Sequence, residues 1–222
     1  ERDFSQFFES FRVRHPERVP SFFTKEEVLR IENSIARSNA VGKRNYAMTL
    51  LASRLGLRAS DIANLKFGEI DWDNNLLTIT MQKTRKVIQL PLLAEVGNSI
   101  VDYLKNGRPK SSLDQVFLSS RAPYTGATKA CVCAAINEII LKSGVDVHLK
   151  HHGPHSLRHS LASAMLREET TLPVISESLG HRHTDTTMVY LKIDIPSLMK
   201  CALPVPSVTE GFYTQRGGAF YE

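Results

Sequence analysis

His155-Ser156-Leu157-Arg158-His159, then an amphipathic run, then Leu179-Gly180-His181, and finally Tyr190 form the stretch on which the reading of this chain turns. On an α-helix the positions i, i+3 and i+4 share a face, so His155, Arg158 and His159 project together. An imidazole and a guanidinium side by side suit a phosphate. The planar fork of Arg takes two oxygens, while His donates a hydrogen bond and can also move a proton. A tyrosine beside that phosphate can attack it. Taken singly, each residue has an ordinary explanation: an Arg as a solvated charge, a His as a satisfied side chain, a Tyr as packing. It is the joint spacing that points to chemistry.

The succession His-x-x-Arg, Gly-His and Tyr resembles the C-terminal half of the catalytic domain of tyrosine recombinases, the phage-type integrases. The resemblance covers roughly Val19 to Lys192. Upstream, Arg58 in Gly56-Leu57-Arg58, with Asp61 three residues later, matches the family's first arginine. Lys83 in Gln82-Lys83-Thr84 matches the lysine that the family carries on a hairpin, where it enters the minor groove and protonates the departing 5′ oxygen. Arg85 and Lys86 compete with it for that role. The implied catalytic set is Arg58, Lys83, His155, Arg158 and His181 around the nucleophile Tyr190. Among the imidazoles, His155 is the expected acceptor of the phenolic proton, and His159 and His183 are runner-up donors read as outer support or surface. Two bland readings stand beside these. Arg58 can be a charge after a helix end, and Asp61 a carboxylate that favours the dipole of a first helical turn.

The composition bounds the class. A chain of 222 residues buries one good core, and 28 Lys+Arg against 23 Asp+Glu, a net charge of +5, lean towards polyanionic partners. Three cysteines, Cys131, Cys133 and Cys201, give no disulfide framework and suit a reducing cytosol, so the expected location is cytoplasmic. Cys131 and Cys133 sit two apart in a helical pattern and point in different directions, as small helix residues and not as ligands. No run of eighteen apolar residues and no signal-peptide pattern occurs, so no membrane is implied. Seven of the eight histidines fall between His148 and His183, which raises a metal site. A zincin helix, however, needs Glu after its first His, where Ser156 stands, and Arg158 puts a cation on the same face. No metal and no cofactor is expected.

The coarse organisation is α+β and mostly helical, an integrase-type catalytic domain with a small three-stranded antiparallel sheet on one edge. Residues 1–20, with Phe4, Phe7, Phe8 and Phe11 at helical spacing, read as the remnant of a linker from a missing N-terminal DNA-binding domain. Residues 21–192 read as the catalytic domain and 193–222 as a tail. Thr24-Lys25-Glu26-Glu27 is a capping box that starts a helix, and Tyr46 to Leu55 predicts a second ending near Gly56. Strands are predicted at Ile70 onwards, Leu76–Met81 and Val87–Pro91, with helices over Leu92–Leu104 and Ala127–Leu141 and a buried strand or coil at Val116–Leu118. Leu172 to Gly180 is a helix started by Pro173, and Thr184 to Thr187 cap a short helix carrying Met188, Val189 and Tyr190. Ile195 to Ala202 is amphipathic; by the resemblance it docks on a neighbouring protomer, and packing on its own domain is equally open.

The function implied is site-specific DNA recombination, the integration or excision of a mobile element, through a covalent 3′-phosphotyrosine. The implied partners are double-stranded DNA and further copies of the chain, as a tetramer on DNA. Type IB topoisomerase-like relaxation shares the chemistry and is the nearest enzymatic alternative. A catalytically silent DNA-binding module is the other.

Overall fold

The computed structural model describes residues 21–148, 150–181, 185–188 and 190. Expectations for residues 1–20, for His183, for Cys201 and for the tail lie outside the described residues.

The fold begins where the capping box predicts. Thr24 Oγ1 accepts from the Glu27 amide at 3.2 Å and Glu27 returns the contact to the Thr24 amide at 2.8 Å, opening α1 (Lys25–Asn33). Helix α2 (Ala40–Arg54) starts six residues before the predicted Tyr46, because Asn39 caps it by accepting from the Gly42 amide at 2.7 Å. Glu32 is buried between the two helices. Arg54 meets its two oxygens at 2.9 and 2.6 Å and the Ser53 hydroxyl adds a bond at 2.6 Å, so the desolvated carboxylate keeps its partners.

Gly56, at φ +63°, turns the chain sharply out of α2 into the short α3 (Ala59–Ala63). The antiparallel sheet follows in the order β1 (Ile70–Asp71), β2 (Leu76–Thr80), β3 (Val87–Pro91). Leu77 opposes Leu90 and Ile79 opposes Ile88, all four buried, while Thr78 and Gln89 between them face solvent. That period-two alternation fixes the register, since a one-residue slip would expose the apolar face. The helices α4 (Ala94–Asn106) and α5 (Lys129–Lys142) complete the first half, and the predicted Val116–Leu118 run is fully buried.

The second half contains α6 (Pro154–Arg167), α7 (Leu172–Ser178) and α8 (Asp185–Met188). Helix α2 runs through the middle, packed on α4, α5 and α6, and contributes Ala47, Met48, Leu50, Leu51 and Ala52 to the core. Each fully buried Leu or Met side chain adds roughly 1.5–3 kcal/mol of transfer free energy. Helix α6 is fixed by Leu157 and Ala162 in the interior and by the Ser160 hydroxyl, which accepts from the Phe23 amide at 2.7 Å. A boundary at the other end of the domain also differs from the sequence reading. Helix α8 stops at Met188, and Tyr190 follows in a turn whose amide reaches back to the Thr187 carbonyl at 3.0 Å.

Candidate active site

Pro154 occupies the first turn of α6, where a missing N–H costs nothing, and Gly153 precedes it at φ +134°, where a Cβ would come within 2.5 Å of Asn137 Oδ1. The first turn of the helix therefore lies tight against α5. His155 is on the exposed side of that turn, and Arg158, one turn on, is 1% exposed.

The Arg158 guanidinium donates to the Gly56 carbonyl, at the α2–α3 turn, and to the Leu179 carbonyl, at the end of α7. Three segments far apart in sequence are thus held by one side chain. With five N–H donors on a guanidinium, Arg158 retains others for an anion. Burial, with the neighbouring Arg58 charge adding to it, pulls its pKa down to about 10. It remains charged at neutral pH, and it is a cation whose environment gains from a negative partner.

Arg58 is the N-cap residue of α3, and its Nη1 is buried without a hydrogen-bond partner among the described residues. Burial lowers its pKa, against an opposing pull from Asp61. Asp61 is itself 1% exposed, and its Oδ1 accepts from the Gln82 amide at 2.8 Å. A carboxylate that the sequence explains by the helix dipole therefore ties α3 to the β2–β3 hairpin. Lys83 stands exposed on that hairpin, next to Gln82. Thr84 Oγ1 lies 3.4 Å from the Gly180 carbonyl.

Arg58, Lys83, His155 and Arg158 line one cleft of about 570 Å³. Among the described residues no Asp or Glu lines it, and Lys129, His152, Asn137 and Cys133 complete much of the wall. These four were not singled out from the sequence as site residues. For His152 a signal existed, the basic run ahead of Pro154; for the others, on α5, only the packing of that helix reveals them.

His181 is buried at the end of α7, where Gly180 turns at φ +60°, and its Nδ1 lies 2.8 Å from Thr187 Oγ1. Its ring stacks on Tyr190 with centroids 6.3 Å apart. Burial first, then Arg158 and Arg58, depress its pKa to about 4. Tyr190 is 1% exposed and packs against Ala162, Ile175 and Leu179. Burial raises its phenol above the ordinary value, opposed by the Arg158 and Arg58 charges, so it is a protonated phenol in this state. It sits behind Arg158 and is not part of the cleft wall.

One imidazole assignment differs from the sequence reading. The imidazole that meets the phenol oxygen is His159, with Nδ1 3.1 Å from Tyr190 Oη and centroids 5.3 Å apart. His155 touches His159 edge-on at 4.1 Å and faces the cleft. Two histidines one turn apart are equivalent in sequence; the position of the Tyr190 hydroxyl separates them.

A cleft of cations without carboxylates, backed by a buried phenol, suits a phosphodiester and a tyrosine nucleophile. The profile of the phage integrase family matches residues 21–195, and the chain belongs to that family. It is 40% identical over 85% of its length to a protein of Sinorhizobium fredii named integrase/recombinase y4rA, of which it spans 45%. It is 32% identical to integrase/recombinase y4gC of the same organism, spanning 97% of that protein. With tyrosine recombinase XerA of Thermococcus kodakarensis the identity is 31% over 83% of this chain and 62% of the relative. The fold matches the crystal structure of XerA recombinase with a TM-score of 0.69 at 22% identity, over 84% of this chain and 65% of that one. A XerH recombinase bound to its difH substrate after cleavage gives 0.69 at 22% identity, over 83% of this chain and 53% of that one. The chain thus spans about half the length of several proteins it resembles.

Proposed function

We propose that this chain is the catalytic domain of a site-specific DNA recombinase that cuts and rejoins strands through a covalent 3′-phosphotyrosine. The observation that carries the reading is the shared cleft of Arg58, Lys83, His155 and Arg158, with the buried Tyr190 held against His159 and within the influence of both arginine charges. In the proposed reaction the Tyr190 oxygen bonds to phosphorus, its proton passing to His155, as the bond from phosphorus to the 5′ oxygen breaks. The extra negative charge on the non-bridging oxygens is met by Arg58 and Arg158, with His155 and His181 donating hydrogen bonds. The departing 5′ oxygen takes its proton from Lys83. The phosphotyrosine conserves the bond energy, so a 5′ hydroxyl of a second strand reverses the step without ATP.

The proposed partner is double-stranded DNA, and the proposed assembly is a homotetramer on it, with the tail from residue 193 docking on a neighbouring copy. Residues 1–20 would then link this domain to a DNA-binding domain preceding it. The relatives are named as recombinases, which favours partner exchange over topoisomerase-like relaxation.

The test is incubation with nicked suicide DNA in EDTA, followed by a denaturing gel. A chelator-resistant protein–DNA adduct is expected, and it should disappear in Tyr190→Phe. An adduct that survives this substitution, or one that needs a divalent metal, removes the proposal. Conversion of a supercoiled plasmid into a ladder of topoisomers, without recombinants, would shift it to relaxation.

A further inference from the structure

We propose that His159 orients the Tyr190 nucleophile, by accepting the phenolic hydrogen bond at Nδ1 before attack, while His155, on the cleft side, serves the phosphate and takes the proton as the bond to phosphorus forms. The inference rests on Tyr190 being the nucleophile, as read above.

The geometry divides the two imidazoles. His159 is half-buried and its Nδ1 lies 3.1 Å from Tyr190 Oη, a normal hydrogen-bond separation, with the two rings edge-to-face. His155 is exposed and lines the cleft with Arg58, Lys83 and Arg158. The phenol has little freedom otherwise. Its ring is wedged between His181 on one face and the Ala162, Ile175 and Leu179 side chains, the Arg158 guanidinium approaches its oxygen as a donor, and the His159 contact is left to fix where the O–H points.

The charges around His159 set the form of the contact. Burial first, then His155, Arg158 and His181, hold its pKa near 3, so its ring is neutral at pH 7 and keeps a lone pair for a phenolic O–H. A neutral acceptor is matched to the raised pKa of Tyr190, which leaves the phenol protonated and able to donate. In this arrangement His159 contributes direction and not basicity. The consequence is that an amide of similar reach should serve in its place, while an isosteric apolar side chain should not.

The experiment compares single-turnover adduct formation on nicked suicide DNA for the wild-type chain, His159→Leu, His159→Asn and Tyr190→Phe, with DNA affinity measured for each. Expected are a loss of about tenfold to a hundredfold in rate for His159→Leu at unchanged DNA affinity, and recovery to within a few-fold in His159→Asn. A substrate with a 5′-bridging sulfur, whose thiolate leaves without a proton, should not restore His159→Leu, since its defect lies at the nucleophile. Wild-type rates in His159→Leu, an Asn variant as poor as Leu, or rescue by the bridging sulfur would each overturn the proposal. Should His159→Leu fail to bind DNA, the hydrogen bond is read directly from the His159 ring nitrogen resonances in wild type and Tyr190→Phe. A shift at Nδ1 upon loss of the hydroxyl supports it and identical resonances refute it. An adduct persisting in Tyr190→Phe would instead sink the nucleophile reading itself.

Discussion

Arg158 carries two loads, and the balance between them can be measured. Its contacts to the Gly56 and Leu179 carbonyls brace the α2–α3 turn against α7, while the same side chain lines the cleft. Arg158→Lys replaces a planar fork by a point charge, so both loads suffer. The expected outcome is a loss of at least a hundredfold in adduct formation together with a lowered melting temperature. Acidification tests the other buried groups. His181 and His159 have folded pKa values near 4 and 3, below the ordinary 6.5 of the unfolded chain. The unfolded state therefore binds protons first. The stability due to the neutral rings is complete above about pH 6.5 and is lost as pH falls towards the folded values. About 1 kcal/mol per ring should be lost by about pH 5.5, read as a falling denaturation midpoint, and His181→Asn should remove about half of that dependence. At this scale the joint pattern of His155, Arg158, His181 and Tyr190 pointed to the site, and the family resemblance added Arg58 and Lys83. It did not distinguish His159 from His155, because both lie on one helical face and only the packed phenol tells them apart.

Elements set how precisely the side chains meet. The α2–α3 turn depends on Gly56, which has φ +63° and where a Cβ would come within 2.7 Å of Leu179 Cδ2. Gly56→Ala should cost about 1–3 kcal/mol in a denaturant melt and slow cleavage, because the Arg158 anchor moves with the turn. The hairpin is tied by Asp61, whose Oδ1 holds the Gln82 amide beside Lys83. Asp61→Ala should therefore resemble Lys83→Ala: slow on ordinary DNA, and largely restored by a substrate with a 5′-bridging sulfur that needs no proton on leaving. A failure of that substrate to rescue Asp61→Ala would place the residue's effect on Arg58 instead. Most elements were legible from capping, periodicity and turn residues, as with Thr24 and the alternating β2 and β3. The start of α2 was missed because its first turns carry a polar run, Gly42-Lys43-Arg44-Asn45, whose helical state is decided by the Asn39 cap and by the packing of α2 on α4. Tyr190 was expected on a helix and lies just beyond one, since a short helix end is set by its tertiary neighbours more than by propensity.

Across the whole molecule, a cleft walled by Arg58, Lys83, Lys129 and Arg158, with no carboxylate among the described residues lining it, should make DNA affinity strongly salt-dependent. Lys129→Ala should flatten the plot of log affinity against log salt by about one unit of slope, measured by titration at several salt concentrations. An unchanged slope would place Lys129 away from the DNA backbone. No helix among the described residues is long and apolar enough to cross a membrane. The sequence by itself determined the family, the order of helices and strands, and the candidate side chains, because chemical type, spacing and caps are local properties written in the chain. The tertiary structure alone decided that Arg158 braces the α2–α3 turn against α7, that Asp61 anchors the hairpin, and that His159 meets the phenol. Each of these is a contact between segments separated by tens of residues, formed when burial of the α2-centred core brings them together, and no local pattern encodes which of several equivalent side chains will face the partner.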